Sequence, residues 1–123
     1  MKERQAYNCL PGCPVESTVQ FIAGKWKSVI LYHLLTNDAL RFGELGARIP
    51  GCSDRMLAKQ LSELEADQLI AKTVYSRKPA VTDYSVTPFG ASLAPVIMAM
   101  HTWGQRYNQM SEQMAQYHKN PQP

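Results

Sequence analysis

Residues 41–87 carry, without interruption, a pattern that few folds accommodate. RFGELGARI has the spacing of a short helix, PGCS reads as a turn, DRMLAKQLSELEADQ as a second helix, and LIAKTVYS and VTDYSVT as two strands around RKPA. Two helices joined by a tight turn and followed by a β-hairpin make a winged helix-turn-helix, whose commonest use is to read duplex DNA. The expected class is therefore α+β, mainly α, with N-terminal helices before the winged unit and a long C-terminal dimerisation helix after it.

Within the unit, Leu57, Leu61 and Leu64 recur at spacings of four and three and form one apolar stripe, which Leu69 and Ile70 close. Ser53 is the expected N-cap, its hydroxyl placed to accept from the first-turn N–H groups and to fix where the helix begins. Ser53, Asp54, Arg55, Ala58, Lys59 and Ser62 lie off the stripe. A guanidinium, an ammonium, hydroxyls and a small residue that permits close approach suit a major groove. Asp54, Glu63 and Glu65 argue the other way, since carboxylates repel phosphates. The hairpin adds cations: Arg77 and Lys78 precede a rigidifying Pro79 between the two strands, a tip suited to a phosphate or minor-groove contact.

The N-terminal third supplies scaffold. Glu16 to Ala23 reads as a helix with Val19 and Ile22 one turn apart, Gly24 ends it in a left-handed conformation, and Trp26, Val29, Ile30 and Leu34 restart helical spacing. Trp26 is expected in the core. Lys25 and Lys27 flank it, and two readings stand for them, solvated surface or contact to a phosphate backbone.

CPVESTVQFIAGKWKSVIL, RFGELGARI, the Ser53 to Glu65 helix, and DYSVTPFGASLAPVI with Trp103-Gly104 resemble, in this order, the HxlR-type winged-helix regulators, relatives of the MarR group. The likeness spans about residues 13–104. It implies a dimeric DNA-binding transcriptional regulator, often a repressor, without enzymatic activity. The chain departs from the family pattern at Gln68, where glycine is usual, and at Pro79-Ala80-Val81, where Pro-Pro and a basic residue are usual; the charge in this wing falls earlier, at Arg77 and Lys78. The resemblance also implies a redox-sensing thiol at Cys13, directly before Pro14-Val15.

Phe89, Leu93, Val96, Met100, Trp103, Tyr107, Met110, Met114 and Tyr117 alternate at spacings of four and three, a helical seam that something must cover. Thr87 is the expected N-cap and Pro88 the first helical residue. Pro95 and Gly104 interrupt the run, so a kinked or broken helix is expected. Homodimerisation through Phe89, Leu93, Val96, Met100, Trp103, Tyr107 and Met110 would set two reading helices roughly 34 Å apart and make the target an inverted repeat.

Cys13 and Cys52 are the candidate redox-sensing residues. Cys52 immediately precedes the Ser53 cap, where the positive end of the helix dipole is expected to lower its pKa. A disulfide from Cys13 of one subunit to Cys52 of the other would couple oxidation to the spacing of the reading helices. Cys9 is read as an inert thiol. No paired Cys or His motif completes four ligands, so neither a metal nor a cofactor is expected.

The chain has 123 residues, 45% of them hydrophobic, enough for one modest core, and is expected to form a single domain: an arm at 1–12, the winged unit at 41–87, the dimerisation helix at 88–118 and a polar tail at 119–123. MKERQAYNCLPG lacks an apolar leader segment and no 18-residue apolar run occurs, so a cytoplasmic location and no membrane partner are expected. A net charge of +3 permits nucleic acid without demanding it. His33, His101 and His118 are read as scattered, which disfavours an enzyme. The expected function is thus a dimeric regulator, a repressor, controlled by an oxidant or electrophile. Two alternatives stay open: control by a small apolar effector between the dimer helices, in a pocket lined by Trp103, Tyr107 and the methionines, and a winged helix that binds only protein.

Overall fold

The computed structural model of the protein describes residues 3–7, 12–77 and 79–119. The element order is α1 (Cys13–Ile22), α2 (Lys27–Leu35), β1 (Leu40–Arg41), α3 (Phe42–Arg48), α4 (Asp54–Ala66), β2 (Ile70–Arg77), β3 (Ala80–Val86), α5 (Pro88–Ala91) and α6 (Ala94–Lys119). This is the winged helix-turn-helix expected from the sequence, with α3 and α4 as the two helices and β2–β3 as the wing. One apolar cluster joins these parts: Ile30, Leu31 and Leu34 of α2, Leu45 of α3, Leu57, Leu61 and Leu64 of α4, then Leu69, Ile70 and Ile97. Withdrawing a leucine of this kind from water contributes about 2–3 kcal/mol.

Several boundaries differ from the sequence reading. The first helix begins at Cys13 rather than Glu16, because Pro14 fits the first turn and Gly12, at φ 95°, makes the entry. Gly24 is left-handed as expected, at φ 100°. The buried face of α2 is Ile30, Leu31 and Leu34. Val29, grouped with them by spacing, is 36% exposed, while Trp26 sits half-buried against the core. A third strand, β1, pairs Leu40 with Tyr84 and Arg41 with Asp83, giving the antiparallel order β1-β3-β2. The C-terminal run breaks at Ser92-Leu93, just before Pro95, and then continues through Gly104 without interruption.

The exit from α4 explains the unusual Gln68. Leu69 N–H donates to the Leu64 carbonyl at 3.0 Å and Gln68 N–H to that of Glu65 at 2.9 Å, while the buried side chains of Leu64 and Leu69 flank the turn. This is a Schellman ending, which needs a left-handed residue one place beyond the cap. Gln68 fills that place at φ 62°. The conformation costs about 1 kcal/mol for a residue with a Cβ. Gln68→Gly is therefore expected to stabilise the fold by up to about 1 kcal/mol, read as a higher urea midpoint at unchanged slope; a lowered midpoint would contradict the account.

Thr87 locks the wing to α5. Its N–H donates to the Leu69 carbonyl at 3.0 Å, its hydroxyl donates to the Gln68 carbonyl at 2.7 Å, and the same oxygen accepts from Gly90 N–H at 3.0 Å, capping α5 as expected. Gly90 is buried so closely that a Cβ there would lie 2.0 Å from the Leu69 carbonyl oxygen.

Candidate nucleic-acid interface

The start of α4 is fixed by Ser53, whose hydroxyl accepts from Met56 N–H at 3.1 Å. With Leu57, Leu61 and Leu64 turned fully inward, Ser53, Asp54, Arg55, Ala58, Lys59 and Ser62 are all exposed. Met56, passed over in the sequence, joins them at 36% exposure. Asp54 leans toward α3, its carboxylate 3.8 Å from where a side chain on Gly46 would begin. There it stands at the positive end of the α4 dipole.

Tertiary contacts pair one of the three carboxylates that weighed against DNA, Glu63, and a further one, Asp67, while Asp54 and Glu65 stay exposed. Glu63 meets Lys27 Nζ at 3.6 Å, and Asp67 takes a two-pronged hydrogen bond from Arg4, Nε at 2.9 Å and Nη2 at 2.7 Å. The Arg4 guanidinium also lies 5.6 Å from the centre of the Phe21 ring, and its partnership with Asp67 raises its already high pKa. Lys27 is only 7% exposed. Both sequence readings of Lys27, solvated surface and phosphate contact, are thereby corrected: it is an internal partner of Glu63. The signal that would have found these pairs lies in the fold, since Arg4 and Asp67 are 63 positions apart.

In the wing, β2 and β3 pair from Ile70 with Val86 to Arg77 with Ala80, with a bulge between Val74 and Ser76. Tyr75 occupies the bulge, is 66% exposed, and its hydroxyl hydrogen-bonds Asp83, which raises the Tyr75 pKa. Bulges re-aim side chains, and nothing in the order of residues marks this one. Lys78 and the Arg77 side chain lie outside the described residues, as do Cys9 and the side chains of Tyr117 and His118.

Cys13 is the first residue of α1 and 6% exposed; Cys52 is 7% exposed and belongs to the main core cluster. Burial and the Asp54 carboxylate push the Cys52 thiol up, against the opposing effect of Lys25. The lowered pKa expected from the helix dipole is corrected accordingly: loss of water outweighs the dipole.

Along α6 the seam is bare from Met100 to Met114. Met100, Trp103, Tyr107, Met110 and Met114 are 44–61% exposed, and the Trp103 and Tyr107 rings stack at 5.6 Å. Of the seam's earlier members, Leu93 and Val96 are partly covered by their own chain, while Phe89 is 50% exposed. Leu93 packs on the core, Val96 is half-buried, and Phe89 meets Phe21 edge-on at 5.6 Å. Ile97, outside the seam by spacing, is the α6 residue sunk in the core. Beside Met100 lies a groove of about 240 Å³ lined by Ser28, Val29, Tyr32, Ile97, Met100 and His101. This groove lies within one chain and is distinct from the pocket expected between the dimer helices at Trp103 and Tyr107. His33 and His101 are not scattered: their rings lie 5.3 and 4.7 Å from that of Tyr32, one edge-on and one stacked. Burial and the charge of Arg48 lower the pKa of His33. Among the described residues, no three His, Cys, Asp or Glu side chains group to hold a metal, and no helix is long and apolar enough to cross a membrane.

A reading helix with a capped start, an exposed mixed face and an adjoining wing defines the helix-turn-helix regulators. The sequence matches the HxlR-like helix-turn-helix family over residues 21–112, and the chain belongs to that family. It is 47% identical over 96 residues, 78% of this chain and 74% of the relative, to the uncharacterised helix-turn-helix transcriptional regulator YdeP of Bacillus subtilis. Its fold is similar to that of the redox regulator HypR in its oxidised form (TM-score 0.72, 41% identity, 76% of this chain and 96% of that one). The reduced form of HypR gives a TM-score of 0.74 at 39% identity, covering 81% and 98%.

Proposed function

We propose that the protein is a cytoplasmic, homodimeric repressor that binds an inverted-repeat operator and is controlled by oxidation or electrophile modification of Cys13. The observation that carries the DNA reading is the outer face of α4, where Arg55, Ala58, Lys59 and Ser62 are exposed while Glu63 and Asp67 are occupied by Lys27 and Arg4. Arg77 and Lys78 of the wing complete the contact with the backbone. Dimerisation is supported by the bare stripe on α6, since a run of exposed methionines and aromatics demands a cover. The likeness to HypR supports redox control.

In this reading an oxidant takes two electrons and two protons from Cys13 of one subunit and Cys52 of the other, and a disulfide forms. Burial and the Asp54 carboxylate disfavour the Cys52 thiolate, which suits Cys52 to the resolving role, while Cys13, at the position where the resemblance implies a sensing thiol, is the first to react. Both are buried, so pairing requires the first turn of α1 and the turn before α4 to shift, which moves α4 with them.

Fluorescence-anisotropy titration against the DNA upstream of the gene tests the proposal. The reduced protein is expected to bind selectively, diamide to change the affinity at least tenfold, and re-reduction to restore it. Cys13→Ser is expected to abolish the diamide effect; a full response in that variant would sink the thiol mechanism. The groove beside Tyr32 favours a second reading, an apolar effector at the α2–α6 junction, which selective binding indifferent to diamide would support.

A further inference from the structure

We infer that Lys25, seated on the Trp26 ring beside the turn that opens the recognition helix, is a backbone-phosphate anchor, distinct from the contacts made by α4 and the wing. The inference rests on the DNA-binding reading above.

Of the two lysines around Trp26, the fold uses one internally and leaves the other available. Lys27 is buried against Glu63, whereas Lys25 is exposed with its Nζ 4.7 Å from the centre of the Trp26 ring. Trp26 is itself fixed. It packs against the core, and its outer edge lies 3.4 Å from where a side chain on Gly51 would begin. Gly51 therefore leaves room for the edge of the indole against the Pro50-Gly51-Cys52-Ser53 turn, and Lys25 is carried to the same end of α4 that presents Ser53 and Arg55. The charge of Lys25 is felt at Cys52, an independent mark of this proximity.

A free lysine loses about 2 kcal/mol of rotamer freedom when it is immobilised on a ligand. Stacking on a held indole removes part of that cost in advance and leaves the ammonium protons facing water. The chemistry fits a phosphate oxygen: a compact cation, exposed, and with no carboxylate ion-paired to it among the described residues. Base-edge readout is not expected, because an ammonium stacked beside the helix rather than on its outer face carries position rather than sequence.

The test compares wild type, Lys25→Gln and Lys25→Arg on the duplex upstream of the gene and on a scrambled duplex, across a salt series. Loss of one phosphate contact flattens the log–log salt slope by about 0.9 and weakens binding about fivefold at 0.15 M salt, equally for both duplexes. Lys25→Gln is expected to show both effects and Lys25→Arg to restore them. Unchanged slope and affinity in Lys25→Gln, with wild type binding normally, would overturn the Lys25 assignment alone. Loss confined to the upstream duplex would overturn it too, by making Lys25 a base reader. Absence of salt-dependent binding by wild type would overturn this inference together with the DNA reading.

Discussion

Gly90→Ala is expected to destabilise the protein by about 3 kcal/mol or more, a drop in thermal midpoint of about 10 °C or more for a chain of this size. The cause is a backbone contact rather than a loose side chain. A Cβ at position 90 would lie 2.0 Å from the Leu69 carbonyl oxygen and 2.9 Å from its carbon, and neither can turn aside. That carbonyl also accepts from Thr87 N–H, so retreating breaks the hydrogen bond that ties the end of the wing to the exit of α4. Gly104→Ala serves as control, because a Cβ there meets nothing within 4 Å and alanine favours a helix interior by about 1 kcal/mol. Thermal unfolding of the two variants checks the account. A Gly90→Ala midpoint within about 2–3 °C of wild type, by the same scaling, would show that the junction yields.

Trp103→Glu is expected to separate the dimer into monomers and to lower operator affinity by two orders of magnitude or more. Trp103 is 61% exposed on the single chain and stacked on Tyr107, in the middle of a stripe from Met100 to Met114. Burying such a residue at the centre of an interface contributes roughly 2–4 kcal/mol, and a two-fold axis counts it twice. Dissociation also removes the bivalent grip on two half-sites, worth roughly a further 10²–10⁴ through the loss of effective concentration. Light scattering behind size-exclusion chromatography reads the mass, and anisotropy reads the affinity. A dimeric Trp103→Glu protein with wild-type affinity would move the interface elsewhere.

What could be read from the sequence was what repeats or caps. Leu57, Leu61 and Leu64 state their own periodicity, Ser53 and Thr87 announce helix starts, and the hairpin alternates, so the helix-turn-helix and wing stood out. The two-residue β1 is too short to show a period, and its pairing with Tyr84 and Asp83 is a property of the folded sheet. Lys25 and Lys27 have the same chemistry two positions apart, yet one is exposed and the other buried, because only tertiary packing brings Glu63 against Lys27. Cys52 misled for a related reason: its position before a helix was visible, but its enclosure by the core was not. Spacing alone also cannot tell Leu93, packed on its own chain's core, from Met100, left bare.

The junction of Gln68, Leu69, Thr87 and Gly90 has a mechanical consequence. It fastens the end of the reading helix, the root of the wing and the start of the C-terminal segment at one point, while Leu93 and Ile97 hold the base of α6 to the core. The 26 residues of α6 thus form a lever of about 39 Å welded to a rigid reading head. In a two-fold pair of such levers, a tilt of about 10° at Tyr107, the middle of the bare stripe, would swing the base of α6, about 20 Å away, by about 3.4 Å, the rise of one base pair. In the dimer we propose, a small change where the subunits meet would thus be delivered as a misfit of one base-pair step on the DNA.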